Sequence, residues 1–232
     1  VADRGNHRIR RVESNGMVTT LTQSGAPLFT EGSISSKEFS NPRGIALGKN
    51  GELYIADYWN NRIVKRTSDG TLSVLLRTLT PSPISLPSDV VTDIFGNLYI
   101  ANSGTHNILK ITPEGNIITV AGKDKPGFKD AWGTEALFSL PISLAISSSG
   151  ELYVADQGNH RIRRIATDGF VTTLAGTGQA GYQDGKYSQF NYPSGVAVDE
   201  KDNVYVSDFY NHRIRRIATD GEVSTVAGGE WG

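Results

Sequence analysis

Five copies of one short segment hold most of the groups in this 232-residue chain that could do chemistry. They read Asp3-Arg-Gly-Asn6-His7-Arg8-Ile9, Asp57-Tyr-Trp-Asn60-Asn61-Arg62-Ile63, Asn102-Ser-Gly-Thr105-His106-Asn107-Ile108, Asp156-Gln-Gly-Asn159-His160-Arg161-Ile162 and Asp208-Phe-Tyr-Asn211-His212-Arg213-Ile214. Imidazoles could ligate a metal. His7, His106, His160 and His212, however, share one repeat position, which spreads them around a structure and does not converge them. A structural or solvent role is expected, and no metal or cofactor. The pairs Asp57 with Arg62 and Asp156 with Arg161 also repeat. They are read as structural, with the Asp capping the turn through an Asx hydrogen bond and the Arg pairing with it. The third copy replaces both members by Asn102 and Asn107.

The runs Arg8 to Arg11, Arg161 to Arg164 and Arg213 to Arg216 could contact phosphates. Strand alternation would split their charges between two faces, so a solvated, paired surface is expected. The whole chain has 23 Lys+Arg against 24 Asp+Glu, a net charge of −1. That balance gives no general pull toward nucleic acid, which is not expected as a partner. Cysteine is absent, which removes disulfides, thiolate metal sites and cysteine nucleophiles. No apolar run approaches the roughly 20 residues of a membrane helix. No serine-nucleophile elbow or P-loop is present.

The elements that position these segments are also repeated. A hexad precedes each: Glu52-Leu-Tyr-Ile-Ala-Asp57, Asn97-Leu-Tyr-Ile-Ala-Asn102, Glu151-Leu-Tyr-Val-Ala-Asp156 and Asn203-Val-Tyr-Val-Ser-Asp208, with a half copy at Val1-Ala2-Asp3. Successive aligned Asp or Asn residues lie 54, 45, 54 and 52 apart. Each full unit reads as four short strands, rich in Val, Ile, Leu, Thr and Tyr and bounded by Gly and Asn/Asp turns. In the third unit these are Asp89 to Thr92, Asn97 to Ala101, Ile108 to Ile111 and Ile117 to Ala121. No 10–12-residue stretch holds a helical period. Four-stranded units in tandem bury their faces by packing around an axis, as β-propeller blades do.

With openings such as Asn41-Pro42-Arg43-Gly44 and Tyr192-Pro193-Ser194-Gly195, the Asp-x-x-Asn-x-Arg-Ile segment resembles the NHL repeat family of β-propellers. The resemblance implies an all-β propeller, commonly six-bladed, and no single function. Members include RNA-binding and protein-binding scaffolds, extracellular sensors, surface polysaccharide-associated proteins and a few metal-dependent lyases. Four full units and a partial first one give 19 strands, and position 1 falls inside a strand. The expectation is one propeller domain over 1–232, truncated at its N-terminal end within a blade. It is read either as part of a six-bladed ring or as a five-bladed variant.

In such blades the turn after the second strand and the crossing to the next blade share one end. The length variation lies in the crossings, roughly 22–40, 77–87, 122–140 and 176–193. The insertions are therefore expected on one face, where binding on a rigid scaffold resides. Two of these crossings share Gly127-Phe-Lys-Asp130 and Gly181-Tyr-Gln-Asp184, each ending in a Phe expected to pack under the next blade; Pro27 to Glu31-Gly32 is a looser copy. Aromatic pairs replace small residues at Tyr58-Trp59 and Phe209-Tyr210. Aromatics beside Asp, Asn and Gln suit sugar rings and protein hot spots alike. The candidate binding set is Tyr58, Trp59, Phe209, Tyr210, Trp132, Tyr182, Asp130 and Asp184. The expected function is non-enzymatic recognition of a glycan or a protein partner through the loop-rich face. The alternatives are a metal-dependent lyase or hydrolase with an axial site, and an RNA-binding propeller. Surface glycan-associated members carry similar crossings, so the resemblance implies a cell-surface or periplasmic setting.

Overall fold

The computed structural model of the protein describes residues 1–22, 39–77 and 83–229. The looser crossing copy from Pro27 to Gly32 lies outside them. The described residues form five antiparallel sheets. The first has three strands, β1 (Ala2–Asp3), β2 (Arg8–Val12) and β3 (Val18–Thr20). The second has β4 (Pro42–Leu47), β5 (Leu53–Asp57), β6 (Arg62–Arg66) and β7 (Leu72–Arg77). The third has β8 (Pro87–Thr92), β9 (Leu98–Asn102), β10 (Asn107–Ile111) and β11 (Ile117–Gly122). The fourth has β12 (Pro141–Ile146), β13 (Leu152–Asp156), β14 (Arg161–Ile165) and β15 (Val171–Ala175). The fifth has β16 (Pro193–Val198), β17 (Val204–Asp208), β18 (Arg213–Ile217) and β19 (Val223–Gly228). Strands pair in sequence order, and the inner strands β1, β4, β8, β12 and β16 adjoin one another in turn. This is a β-propeller of five blades.

After β1 in the first blade, and after the second strand of each later blade, the chain makes one 3-10 turn, such as Tyr58–Asn60 or Phe209–Asn211. The next residue is left-handed, at φ 55° for His7, 47° for Asn61 and 53° for His106, His160 and His212. Its side chain reaches the following blade. Nδ1 of His7, His106 and His160 accepts from the N–H of Asn41, Leu140 and Tyr192 at 2.9, 3.1 and 3.2 Å. Oδ1 of Asn61 accepts from Leu86 N at 2.7 Å. All four donors are themselves left-handed residues immediately before a blade-opening proline. That conformation is uncommon for residues with a Cβ, and here it is held by a side chain from the preceding blade. Burial lowers the His106 and His160 pKa values, which favours the neutral imidazole that accepting at Nδ1 requires.

The core lies between blades. Phe138 and Phe190 are fully buried and end their crossings as the sequence predicts. Phe138 packs with Ala101 and Ile108 of the third blade and with Leu144 and Val154 of the fourth.

The crossings correct one expectation. Those at 122–140 and 176–193 do not crowd the face. They run down the outer edge of the blade that follows. Val171 N, at the start of β15, donates to Ala131 O at 2.9 Å, and Gly185 N donates to Val223 O of β19 at 2.8 Å. These straps cover edge strands that would otherwise offer free backbone groups. Under them Val171 and Val223 are buried, whereas the outer strand β11 exposes Ile117 and Ile118.

Candidate functional site

At the centre of the disc is a cavity of about 470 Å³ walled by all five blades. Strands β4, β8, β12 and β16 contribute Arg43 and Gly44, Ser88 and Asp89, Ile142 and Ser143, and Ser194. The first residue of the 3-10 turn adds a rim: Arg4, Gln157 and Phe209 line the cavity. The equivalent Tyr58 lies under Arg43, whose guanidinium carbon is 3.6 Å from the ring centre. Ser103, the fifth such residue, is buried, and its hydroxyl donates to Pro141 O at 2.5 Å.

The second turn residue faces the crossing that enters its own blade. A Cβ on Gly104 or Gly158 would meet Ser85 or Ser139 Oγ at 2.3 or 2.5 Å, so these positions admit only glycine. At Trp59 and Tyr210 the same backbone hydrogen bond lengthens to 3.1 Å, from 2.9 and 2.8 Å, and the larger side chains turn outward. Trp59 is 47% exposed and Tyr210 56%. Tyr210 meets Phe209 and Tyr192 edge-on at 5.0 and 5.1 Å, and Tyr192 meets His160 at 4.7 Å. Trp59 lies 6.3 Å from His7. Of the four turn aromatics, Phe209 lines the cavity, Tyr210 packs against Phe209, Tyr58 lies under the cavity-lining Arg43, and Trp59 meets His7; Tyr192, against Tyr210, is a member the repeat pattern did not single out. Its signal was its place before Pro193.

Trp132 and Tyr182 stand elsewhere, on the straps. Trp132 stacks on Phe170 at 4.2 Å, and the Tyr182 hydroxyl is 3.2 Å from Thr225 Oγ1 on the outermost strand. Asp130 and Asp184 pin the straps to two arginines with fully buried side chains. Arg163 donates to Asp156 at 2.8 Å, to Asp130 at 2.5 Å, and to the carbonyls of Leu137 and Lys129, both at 3.0 Å. Arg215 donates to Asp208 and Asp184, both at 2.7 Å, and to the carbonyls of Gln189 and Gln183 at 3.0 and 2.6 Å. The other Asp130 and Asp184 oxygens accept from Thr173 N and Thr225 N.

Two expectations about charge are corrected by this arrangement. Asp57 does pair with Arg62, at 2.6 Å. In the fourth and fifth blades the partner is instead the arginine two residues further on, and Arg161 stacks over Phe128 at 3.8 Å. The arginine runs are therefore not wholly a solvated surface. Nor does the repeated Asp cap its turn through the backbone. Its oxygens take the Asn three residues on and the N–H of the incoming crossing, as Asp57 does with Asn60 and Ser40 at 2.8 and 2.7 Å.

Asp89, in the cavity wall, bridges two blades. It accepts from Val90 N at 2.9 Å, and from Ser143 Oγ and Leu144 N of the next blade at 2.8 and 2.9 Å. Desolvation outweighs these donors and pushes its pKa up to about 6. A carboxyl whose pKa is raised on folding stabilises the protein below its unfolded value near 4, and that contribution is lost as pH rises through about 6. In Asp89→Asn this loss is absent, so the stability difference between the two proteins should change by about 2 kcal/mol between pH 4 and pH 8, in favour of the variant. Denaturant titrations across that range measure it. Among the described residues, no group of three His, Asp or Glu is placed to hold a metal ion.

The NHL repeat family profile matches residues 39–65, 138–165 and 190–217, each running from a blade-opening segment through a third strand. The chain carries three NHL repeats by this profile, in the second, fourth and fifth blades. NHL repeat-containing protein 2 of Bos taurus is 28% identical over 94% of this chain, and the match covers 36% of that protein. An auxiliary nutrient binding protein from Bacteroides thetaiotaomicron has the same fold, with a TM-score of 0.69 at 22% identity over 90% of this chain and 50% of that one. So has virginiamycin B lyase from Staphylococcus aureus, at 0.65 and 17% over 97% of this chain and 64% of that one. The chain thus spans about a third of its bovine relative and between half and two thirds of these two structures.

Proposed function

We propose that this NHL propeller is a recognition scaffold whose ligand is a glycan, seated at the mouth of the axial cavity. The observation that carries the reading is the placement of exposed aromatic rings beside a polar central cavity. Phe209 lines the cavity, with Tyr210 against it and Tyr192 against Tyr210, while Ser194, Gln157 and Arg4 supply polar groups. Rings of this kind stack on the CH faces of sugars, and the polar groups orient hydroxyls. The cavity volume of about 470 Å³ suits one or two sugar rings. The structural likeness to a nutrient binding protein supports a binding role in general. Asp130, Asp184, Trp132 and Tyr182, engaged on the straps, are left out of the proposed contact surface.

The test is a glycan array probed with the full chain, with and without chelator, followed by titration of the best ligand. Binding that survives chelator, and weakens about tenfold or more in Tyr210→Ala and Phe209→Ala, is expected. Undiminished binding in both variants overturns this site. A blank array alongside capture of a defined protein would establish the protein-partner reading in its place.

A further inference from the structure

Two guanidinium groups face the same cavity, and among the described residues no carboxylate pairs with either. Arg4 enters from the first blade's turn and Arg43 from β4. The acidic side chains that pair with arginine or lysine among the described residues all lie elsewhere, and neither Arg4 nor Arg43 takes part in such a pair. Arg43 is partly withdrawn from water, stacked on Tyr58 and repelled by Arg4, and both burial and that repulsion lower its pKa. Stacking fixes the plane of its fork while leaving N–H groups for a ligand. Asp89, the acid in the cavity wall, already accepts three protein hydrogen bonds and neutralises neither arginine. Two like charges held beside one cavity are unfavourable until an anion lies between them.

We propose that the axial cavity binds the carboxylate of an acidic sugar between Arg4 and Arg43. This rests on the glycan reading of the same site and narrows it from sugars at large to uronic-acid-type sugars. A carboxylate matches a guanidinium fork with two parallel hydrogen bonds, and the pyranose ring that carries it would meet Phe209 at the rim.

The test titrates the full chain calorimetrically with glucuronate, with glucose, and with inorganic phosphate. Arg43→Gln and the exposed-site Arg4→Gln are measured alongside, with their thermal midpoints as a folding control. The expected result is that glucuronate binds at least about tenfold tighter than glucose, and that each variant loses roughly tenfold or more of that preference while staying folded. Equal binding of glucuronate and glucose, unchanged in the variants, overturns the carboxylate site and leaves the glycan reading standing. Phosphate binding that needs both arginines, with neither sugar bound, overturns the acidic-sugar assignment and the glycan reading together. No binding of any probe at millimolar concentration also overturns the proposal.

Discussion

Asp208→Ala is expected to destabilise the protein by about 3–5 kcal/mol, read as a lowered midpoint in guanidinium denaturation. Asp208 is fully buried and accepts from Arg215 at 2.7 Å, from Asn211 at 2.8 Å and from Asn191 N at 2.7 Å. Its removal leaves a buried guanidinium with only the partly exposed Asp184 as counter-charge, and a backbone N–H without an acceptor. Asp184→Ala should cost less, about 1 kcal/mol, because water reaches its carboxylate. The third blade supplies a rescue. There Asn102 stands in place of Asp208 and Leu109 in place of Arg215, and Asn102 donates to Asn107 at 3.0 Å. The double variant Asp208→Asn with Arg215→Leu should therefore regain about half of the loss. If the single and double variants are equally unstable, the damage does not come from the unpaired charge.

Gly44→Ala is the second large effect. A Cβ there would lie 2.4 Å from both Cα and Oδ1 of Asp89 and 2.8 Å from Val90 N. Two of these atoms are backbone of β8, so relief requires separating the second and third blades. A loss of about 3 kcal/mol or more is expected, together with weaker ligand binding, since both residues wall the cavity. Gly5→Ala is the control: nothing lies within 4 Å of its added Cβ, and the change should stay within about 0.5 kcal/mol. Thermal and denaturant unfolding of the two variants separates the cases.

The strands, their order and their turns were legible in sequence because each is written by local chemistry repeated blade after blade. The third blade's predicted strands match β8 to β11 to within two residues. What escaped was long-range pairing. An arginine in a run such as Arg161 to Arg164 reads as surface, and nothing local shows that Arg163 turns inward to meet Asp130, 33 residues earlier. A signal was present. Inward arginines at 163 and 215 occur in the two blades whose incoming crossings carry Asp130 and Asp184, whereas Val64 and Leu109 hold that position in the second and third. The aromatic pairs were legible as departures from the repeat, and of them Phe209 lines the cavity while Tyr58 packs under the cavity-lining Arg43. Arg43 was not, since a single arginine after a proline carries no pattern.

The straps change what counts as one heritable module. Because a crossing finishes the outer edge of the blade after it, four strands alone do not make a transferable piece. The segment that keeps each buried arginine with both of its carboxylates runs from a strap through the following fourth strand, as 123–175 and 177–228 do. A duplication or a chimera cut at those borders keeps Asp130 with Arg163, or Asp184 with Arg215. A cut between strap and blade strands a buried cation in one product and leaves an uncovered edge. Recombination in this lineage should accordingly show its joints at the ends of fourth strands.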